Sequence, residues 1–377
     1  MRRVRRFVAC LLLVAGCTHA GDGGPGIPLD GFADGIHHWQ NLHGRDYPRH
    51  APDQVAAIAD NLLLYQRRDG GWTENRDPAR IVPEVERDAI RAESAREGGS
   101  FDNRNVYTQV EYLAAAHALT GDARYRDAAL RGIGFILAHQ IATCGGWPHT
   151  VPPTQRYHPL LTIADEVTSG VLGTLRGIAD GAPAFAFVDA PLRQRVREAV
   201  RRGDDCLLAL QVRQDGVPTG WAGQYDPGSL LPARGRSFEL PSIAVQESVA
   251  VVRYLMSIPD PSPEVVAAIE SAVDWLRRVQ LDGLRLETFE AGQAQFRYHA
   301  TGQDRRLVED PDAPPLWPRF LDLADNSAVL ATREGVRVAS YAQIPRERRT
   351  GYDWYGHWPR RLLEREYPRW QQARAAR

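Results

Sequence analysis

The 377-residue chain contains no lysine, so all 46 of its permanently basic side chains are arginines. Every such cation is therefore a planar guanidinium, the group that holds carboxylates bidentately. There is no excess of either sign: 47 acids leave a net charge of -1. That balance gives no overall field to gather nucleic acid or any other polyanion, so anion binding has to come from local arginine clusters. Cysteine is scarce at 4 residues. Setting the leader aside leaves Cys144 and Cys206, readable either as a disulfide or as two buried thiols. No apolar run is long enough to span a bilayer as a helix. Strand-like alternation is sparse and no EF-hand-like loop occurs, which argues against a sheet protein and against a dedicated calcium loop.

What is present begins at the N-terminus. Arg2-Arg3-Val4-Arg5-Arg6 is a positive n-region and Phe7 to Ala15 a short apolar core, ending in Val14-Ala15-Gly16-Cys17. Small residues before a cysteine read as a lipobox, so residues 1–16 are expected to be a lipoprotein signal peptide and Cys17 the lipidated residue. Thr18 after it, rather than Asp, favours the outer membrane, facing the periplasm or the cell surface. Gly, Pro and Asp then mark residues 17–45 as a flexible tether, with one domain over 46–377. The only expected membrane contact is the lipid anchor, no nucleic-acid partner is expected, and the state expected is a monomer.

A repeat of about seventy residues governs the body. Each unit is an amphipathic helix ending near a glutamine, followed by a glycine turn and commonly a tryptophan. The instances are Leu62 to Gln66 with Gly70-Gly71-Trp72, Phe135 to Gln140 with Gly145-Gly146-Trp147, and Cys206 to Gln211 with Gly216 and Gly220-Trp221. A weaker fourth runs from Ala272 to Gln280 with Asp282-Gly283. Further apolar helices fall between them at Gln109 to Leu119, Glu166 to Ile178 and Val245 to Met256. Helix pairs repeated in this way predict an all-α fold, an incomplete α/α toroid with one central cleft.

Two acids and several arginines stand out. Asp102-Asn103 and Asp165 each precede a helix, one repeat apart. An N-cap role competes there with a pair of hard-oxygen ligands suited to Ca²⁺. Arg236, Arg319, Arg348 and Arg349 lie among aromatics, in Arg236-Ser237-Phe238, Trp317-Pro318-Arg319-Phe320 and Arg349-Thr350-Gly351-Tyr352. Several guanidiniums on one wall would suit a polyuronate, and stacked structural ion pairs with Glu239 or Glu347 are the alternative.

The order of these stretches resembles the family 10 polysaccharide lyases, the pectate lyases, from about Asp60 to Trp358. Its most specific parts are Arg236 to Ser248, Trp317 to Phe320 with Asp322, and Glu347 to Tyr352. The resemblance implies β-elimination in an acidic, galacturonate-type polysaccharide with Ca²⁺ as helper ion. It puts Asp102 and Asp165 where the family holds metal, and Arg236 on the family's catalytic base. It puts Asn103, Arg319, Arg348, Arg349 and Tyr352 on substrate. The chain departs from the family where Arg104-Asn105-Val106 stands for Gly-Ala-Thr, Ala164 for Asn, and Thr73-Glu74-Asn75 for Pro-Lys-Asn. Pro159 and Leu160 replace polar residues expected to meet substrate. Two other readings stay open, a lipid-anchored protein that binds acidic glycans without cleaving them and a hydrolase using two carboxylates.

Overall fold

The structure is a computed structural model describing residues 26–376. The signal peptide and Cys17 lie outside the described residues. Among the described residues no helix is long and apolar enough to cross a membrane.

Helices dominate, in two layers, as an incomplete α/α toroid. The outer layer consists of α2 (Val55–Tyr65), α5 (Ala123–Ala138), α7 (Ala190–Leu210) and α9 (Pro263–Arg278). The inner layer consists of α4 (Tyr107–Thr120), α6 (Val167–Ala179) and α8 (Val245–Met256), with α11 (Trp358–Arg361) beside α8. Helix α3 (Glu84–Ser94) packs on α2, and α10 (Arg346–Thr350) belongs to the C-terminal part.

Side chains start the outer helices. Asp122, Asp189 and Ser262 accept the backbone N–H of Arg124, Leu192 and Val265, and Pro191 and Pro263 sit in the first turns of α7 and α9. The repeat glutamines end them and join each turn to the next outer helix. Gln66 Nε2 donates to the Gly70 and Ala128 carbonyls at 3.2 and 2.9 Å. Gln140 does the same to Gly145 and Ala199 at 2.7 and 2.8 Å, and Gln211 to Thr219 and Ala268 at 2.8 and 3.0 Å. The turn glycines are needed for close approach. A Cβ on Gly70 (φ 100°) would lie 2.2 Å from the Arg131 carbonyl, and one on Gly145 (φ 125°) 2.4 Å from that of Arg202.

The repeat tryptophans are core plugs. Trp72, Trp147, Trp221 and Trp317 are at most 1% exposed. Each indole N–H donates to a carbonyl of its own outer helix, that of Leu62, Ile136, Leu207 or Leu276, at 2.7–2.9 Å. Trp317 is thus the tryptophan missing from the fourth repeat. A long antiparallel hairpin, Leu284–Gln295 with Ala300–Glu309, is inserted between Gly283 and Trp317. That hairpin was not expected, although Leu284 and Leu286 alternating with Arg285 and Glu287 give the period-two pattern of a strand.

The expected tether needs correcting where it is described. Residues Ala33–His43 form α1, with Phe32 and Trp39 buried and Arg80 and Arg76 stacked 5.1 and 5.6 Å over the Trp39 ring. Phe32, Ile36 and Trp39 recur at helical spacing and bring this segment onto the body. Cys144 and Cys206 form a disulfide joining the turn after α5 to α7.

Candidate active site

The turns that follow the repeat tryptophans open into one cleft of about 1030 Å³. His149, Gly223 and Arg319 stand two residues after their tryptophans and all line it. In the first repeat Asn75, three residues after Trp72, takes that place.

Asp102 and Asp165 both line the cleft, and neither caps a helix. The N-cap positions of α4 and α6 are Val106 and Glu166, and no side chain caps either helix. The two acidic turns are instead held in left-handed backbone, with φ of 52° and 62° at Asn103 and Arg104, and 51° and 59° at Asp165 and Glu166. Val106, β-branched and fully buried, has φ 71°, a strain on the order of 1–3 kcal/mol. Asn105 holds this turn, donating to the Trp72 and Ser100 carbonyls at 2.9 and 2.6 Å. Strain gathered at both acids marks the cleft as the place where the fold gives up stability for arrangement.

The charges disturb one another. Burial, with the Asp102 charge next, pushes Asp165 up to about 7. Burial opposes ionisation of Asp102 too, but a hydrogen bond and the charge of His149 hold its carboxyl below the usual range. His149 Nε2 lies 3.4 Å from Asp102 Oδ1, and its ring stacks on His158 at 5.0 Å. Burial alone would lower His149, yet Asp102, with Asp165 and Glu74 behind it, keeps it above its ordinary value.

Arginines line the same cleft. Arg319 Nη2 bonds Glu247 Oε1 at 2.6 Å, with side chains only 9% and 3% exposed, and its guanidinium lies 4.8 Å over the Tyr352 ring. Arg236 keeps 44% of its side-chain surface open. Its Nε and Nη2 bond Glu239 Oε1 at 2.9 and 2.6 Å, and the Tyr352 hydroxyl donates to the same oxygen at 2.7 Å. Although burial works against its charge, the Glu239 carboxylate holds the Arg236 guanidinium well above its usual range. Glu239 is correspondingly brought down to about 2, its burial outweighed by Arg236.

Asn103 and Tyr352 also line the cleft, Asn103 donating to Asn75 Oδ1 at 2.8 Å. Arg348 borders it with only 5% of its side chain exposed, its nitrogens bonded to Glu347 at 2.8 and 2.9 Å. Arg349 does not reach the cleft. Its guanidinium grips Asp304 at 2.9 and 2.6 Å and the Ala342 and Ile344 carbonyls at 3.1 and 2.5 Å, so it ties α10 to the hairpin rather than meeting a ligand.

Sequence reading missed several wall residues. His149 was legible only through the repeat, by matching Arg319 at the same distance from a tryptophan, and Glu247 lies in the Arg236 to Ser248 stretch without having been assigned to the site. Asp34, His37 and His38 come from α1, and Tyr298, His299 and Arg305 from the hairpin.

Among the described residues, Arg104 Nε, Glu247 Oε2 and Arg319 Nε are buried without hydrogen-bond partners, and all three side chains line this cleft. Orphaned acceptors and donors of both signs in one cavity suit a ligand that carries cation and carboxylate together. No group of three or more His, Cys, Asp or Glu fit to hold a metal occurs among the described residues. Asp102 and Asp165 are the two carboxylates of the cleft that would have to hold the expected Ca²⁺.

A model of the family described as Pectic acid lyase matches residues 66–363. A family 10 polysaccharide lyase from Cellvibrio cellulosa is similar in structure, with a TM-score of 0.70 and 27% identity over 89% of this chain and 96% of that one. A mutant of a family 10 lyase from the same organism, in complex with trigalacturonic acid, has a TM-score of 0.69 and 26% identity over 90% and 98% of the two chains. No curated protein matches the chain.

Proposed function

The chain belongs to the pectic acid lyase family, and on that premise we propose that it cleaves a galacturonate-type polymer by β-elimination with Ca²⁺ as helper ion. One observation carries the reading. Asp102, Asp165, Arg236 and Arg319, acids and guanidiniums remote in sequence, line one cavity. The trigalacturonic acid bound by a similar lyase supports a uronate as ligand.

Asp102 and Asp165 would hold Ca²⁺, which when bound would disperse the charge of a uronate carboxylate and so make the neighbouring C5 proton more acidic. Arg319 would supply a second positive charge in the same cleft, its N–H groups donating to the carboxylate. Arg236, the most open of the cleft guanidiniums named here, takes the C5 proton. The electrons of that C–H bond form the C4–C5 double bond while the C4–O bond breaks, the departing oxygen takes a proton from solvent, and Arg236 returns its own to solvent. No water enters the product. Only neutral Arg236 accepts a proton, and Glu239 opposes that form, so turnover should rise with pH. Tyr352 fixes Glu239 and, through it, Arg236. The leader supports a lipid-anchored enzyme of the outer membrane.

The test is incubation with polygalacturonate, with Ca²⁺ or with chelator, following ultraviolet absorbance of unsaturated ends. A Ca²⁺-dependent rise, lost by at least about 100-fold in Arg236→Ala with folding intact, is the expected result. Undiminished turnover in that variant removes Arg236 from the mechanism.

A further inference from the structure

A second concavity of about 720 Å³ adjoins the cleft and shares Tyr157, Ala233, Gly235 and Arg236 with it as a common wall. Arg156, Arg234 and Arg333 add three guanidiniums to its lining, against the single acid Glu334. The carboxylates that neutralise Arg236 and Arg333, those of Glu239 and Glu347, do not line it. Arg156 and Arg234 are exposed and have neither hydrogen-bond nor ion-pair partner among the described residues. The hollow is therefore basic, and its two free charges are not needed by the fold.

Its walls are also built. The Ser237 hydroxyl donates to the Arg333 carbonyl, holding together the two loops that carry Arg234 and Arg333. Gly335 lets them close, because a Cβ there would lie 2.4 Å from the Ser237 carbonyl and 3.2 Å from Arg234 Nη1. Tyr157 and Leu160 add an aromatic and an apolar surface, the kind on which the C–H face of a sugar ring rests. Leu160 stands where a polar contact was expected, and here it forms part of this hollow instead.

The geometry points to an extension of the substrate-binding cleft beyond Arg236, in which Arg156 and Arg234 take carboxylates of uronate units further along the polymer. A polyuronate carries one carboxylate per ring, so a chain leaving the cleft past Arg236 meets these two guanidiniums next. The inference rests on the lyase reading above and adds a dependence on chain length that the main cleft does not require.

The experiment compares the full chain with its Arg156→Ala/Arg234→Ala double variant, on trigalacturonate and on polygalacturonate, at low and high salt. Two exposed charge contacts are together worth about tenfold in affinity. The expected result is a KM for the polymer about tenfold higher in the variant at low salt, with kcat and the trimer KM unchanged and the difference shrinking as salt screens it. A polymer KM within about twofold of the parent overturns the inference. So does a trimer KM raised as much as the polymer's, since that would mean a distorted main cleft. A parent chain that cleaves no galacturonate substrate overturns the lyase reading and this one with it, a result distinct from either of those.

Discussion

At the residue scale the site depends on pairs rather than on single side chains. Glu239 is the clearest case, since it accepts Arg236 and the Tyr352 hydroxyl on one oxygen and the Arg236 backbone N–H on the other at 2.9 Å. Arg236 brings its carboxyl down to about 2 from an ordinary 4.5, so the pair stabilises the folded chain. A depressed carboxyl stabilises the fold above its unfolded value, and that contribution is lost as pH falls from about 4.5 towards 2. Calorimetry should therefore show a melting temperature that falls through this window, and a shallower fall in Glu239→Gln. The same variant bears on the base. Without the carboxylate, Arg236 loses what holds it charged, so the rising limb of the pH–rate profile should move towards acid. A limb that stays in place, or moves towards alkali, would exclude Arg236 as the group that must be neutral. Much at this scale was legible. Asp102, Asn103, Asp165, Arg236, Arg319, Arg348 and Tyr352 all reach the cleft. Arg349 does not, because its neighbour Asp304 belongs to the inserted hairpin, whose strands were not anticipated.

At the element scale the repeat explains the cleft. Each outer helix ends in a glutamine and a glycine turn, and the chain then passes over a buried tryptophan to reach the wall. Gln211 shows what the joint is worth, as its amide serves the Thr219 and Ala268 carbonyls and its side chain is buried. Gln211→Ala leaves the Thr219 carbonyl without its donor, while that of Ala268 keeps the Ser271 hydroxyl, and should cost about 1–3 kcal/mol in chemical denaturation. A cost below about 0.5 kcal/mol would mean that the glutamines mark the repeat without holding it together. Helix positions were largely readable because the 3.6 period is strong in these segments; Val245–Met256 is found with the expected bounds. Two elements were hidden for physical reasons. Helix α1 is short and polar on most faces, and only Phe32, Ile36 and Trp39 show its buried side. The hairpin is exposed over much of its length, so its alternation carries few apolar residues.

At the scale of the whole molecule, an almost neutral chain builds a strongly charged interior cavity. Unlike charges are brought together by inner helices that begin at the cleft without side-chain caps, α4 and α6 each following an acidic, left-handed turn. Net charge gave no hint of this, since ion pairs such as Arg319 with Glu247 cancel in the sum. The toroid itself followed from the repeat. The proposal of a polyanionic substrate rests on where the guanidiniums end up, which only the folded chain makes visible. Elimination differs from hydrolysis by one water, which hydrolysis adds across the broken bond. The decisive measurement is therefore mass spectrometry of polygalacturonate digested by the protein with Ca²⁺. Elimination gives oligomers with an unsaturated non-reducing end, lighter by one water than the saturated ones. Saturated new ends would make the protein a hydrolase, and tight binding with no cleavage would make it a glycan-binding protein; either result contradicts a lyase.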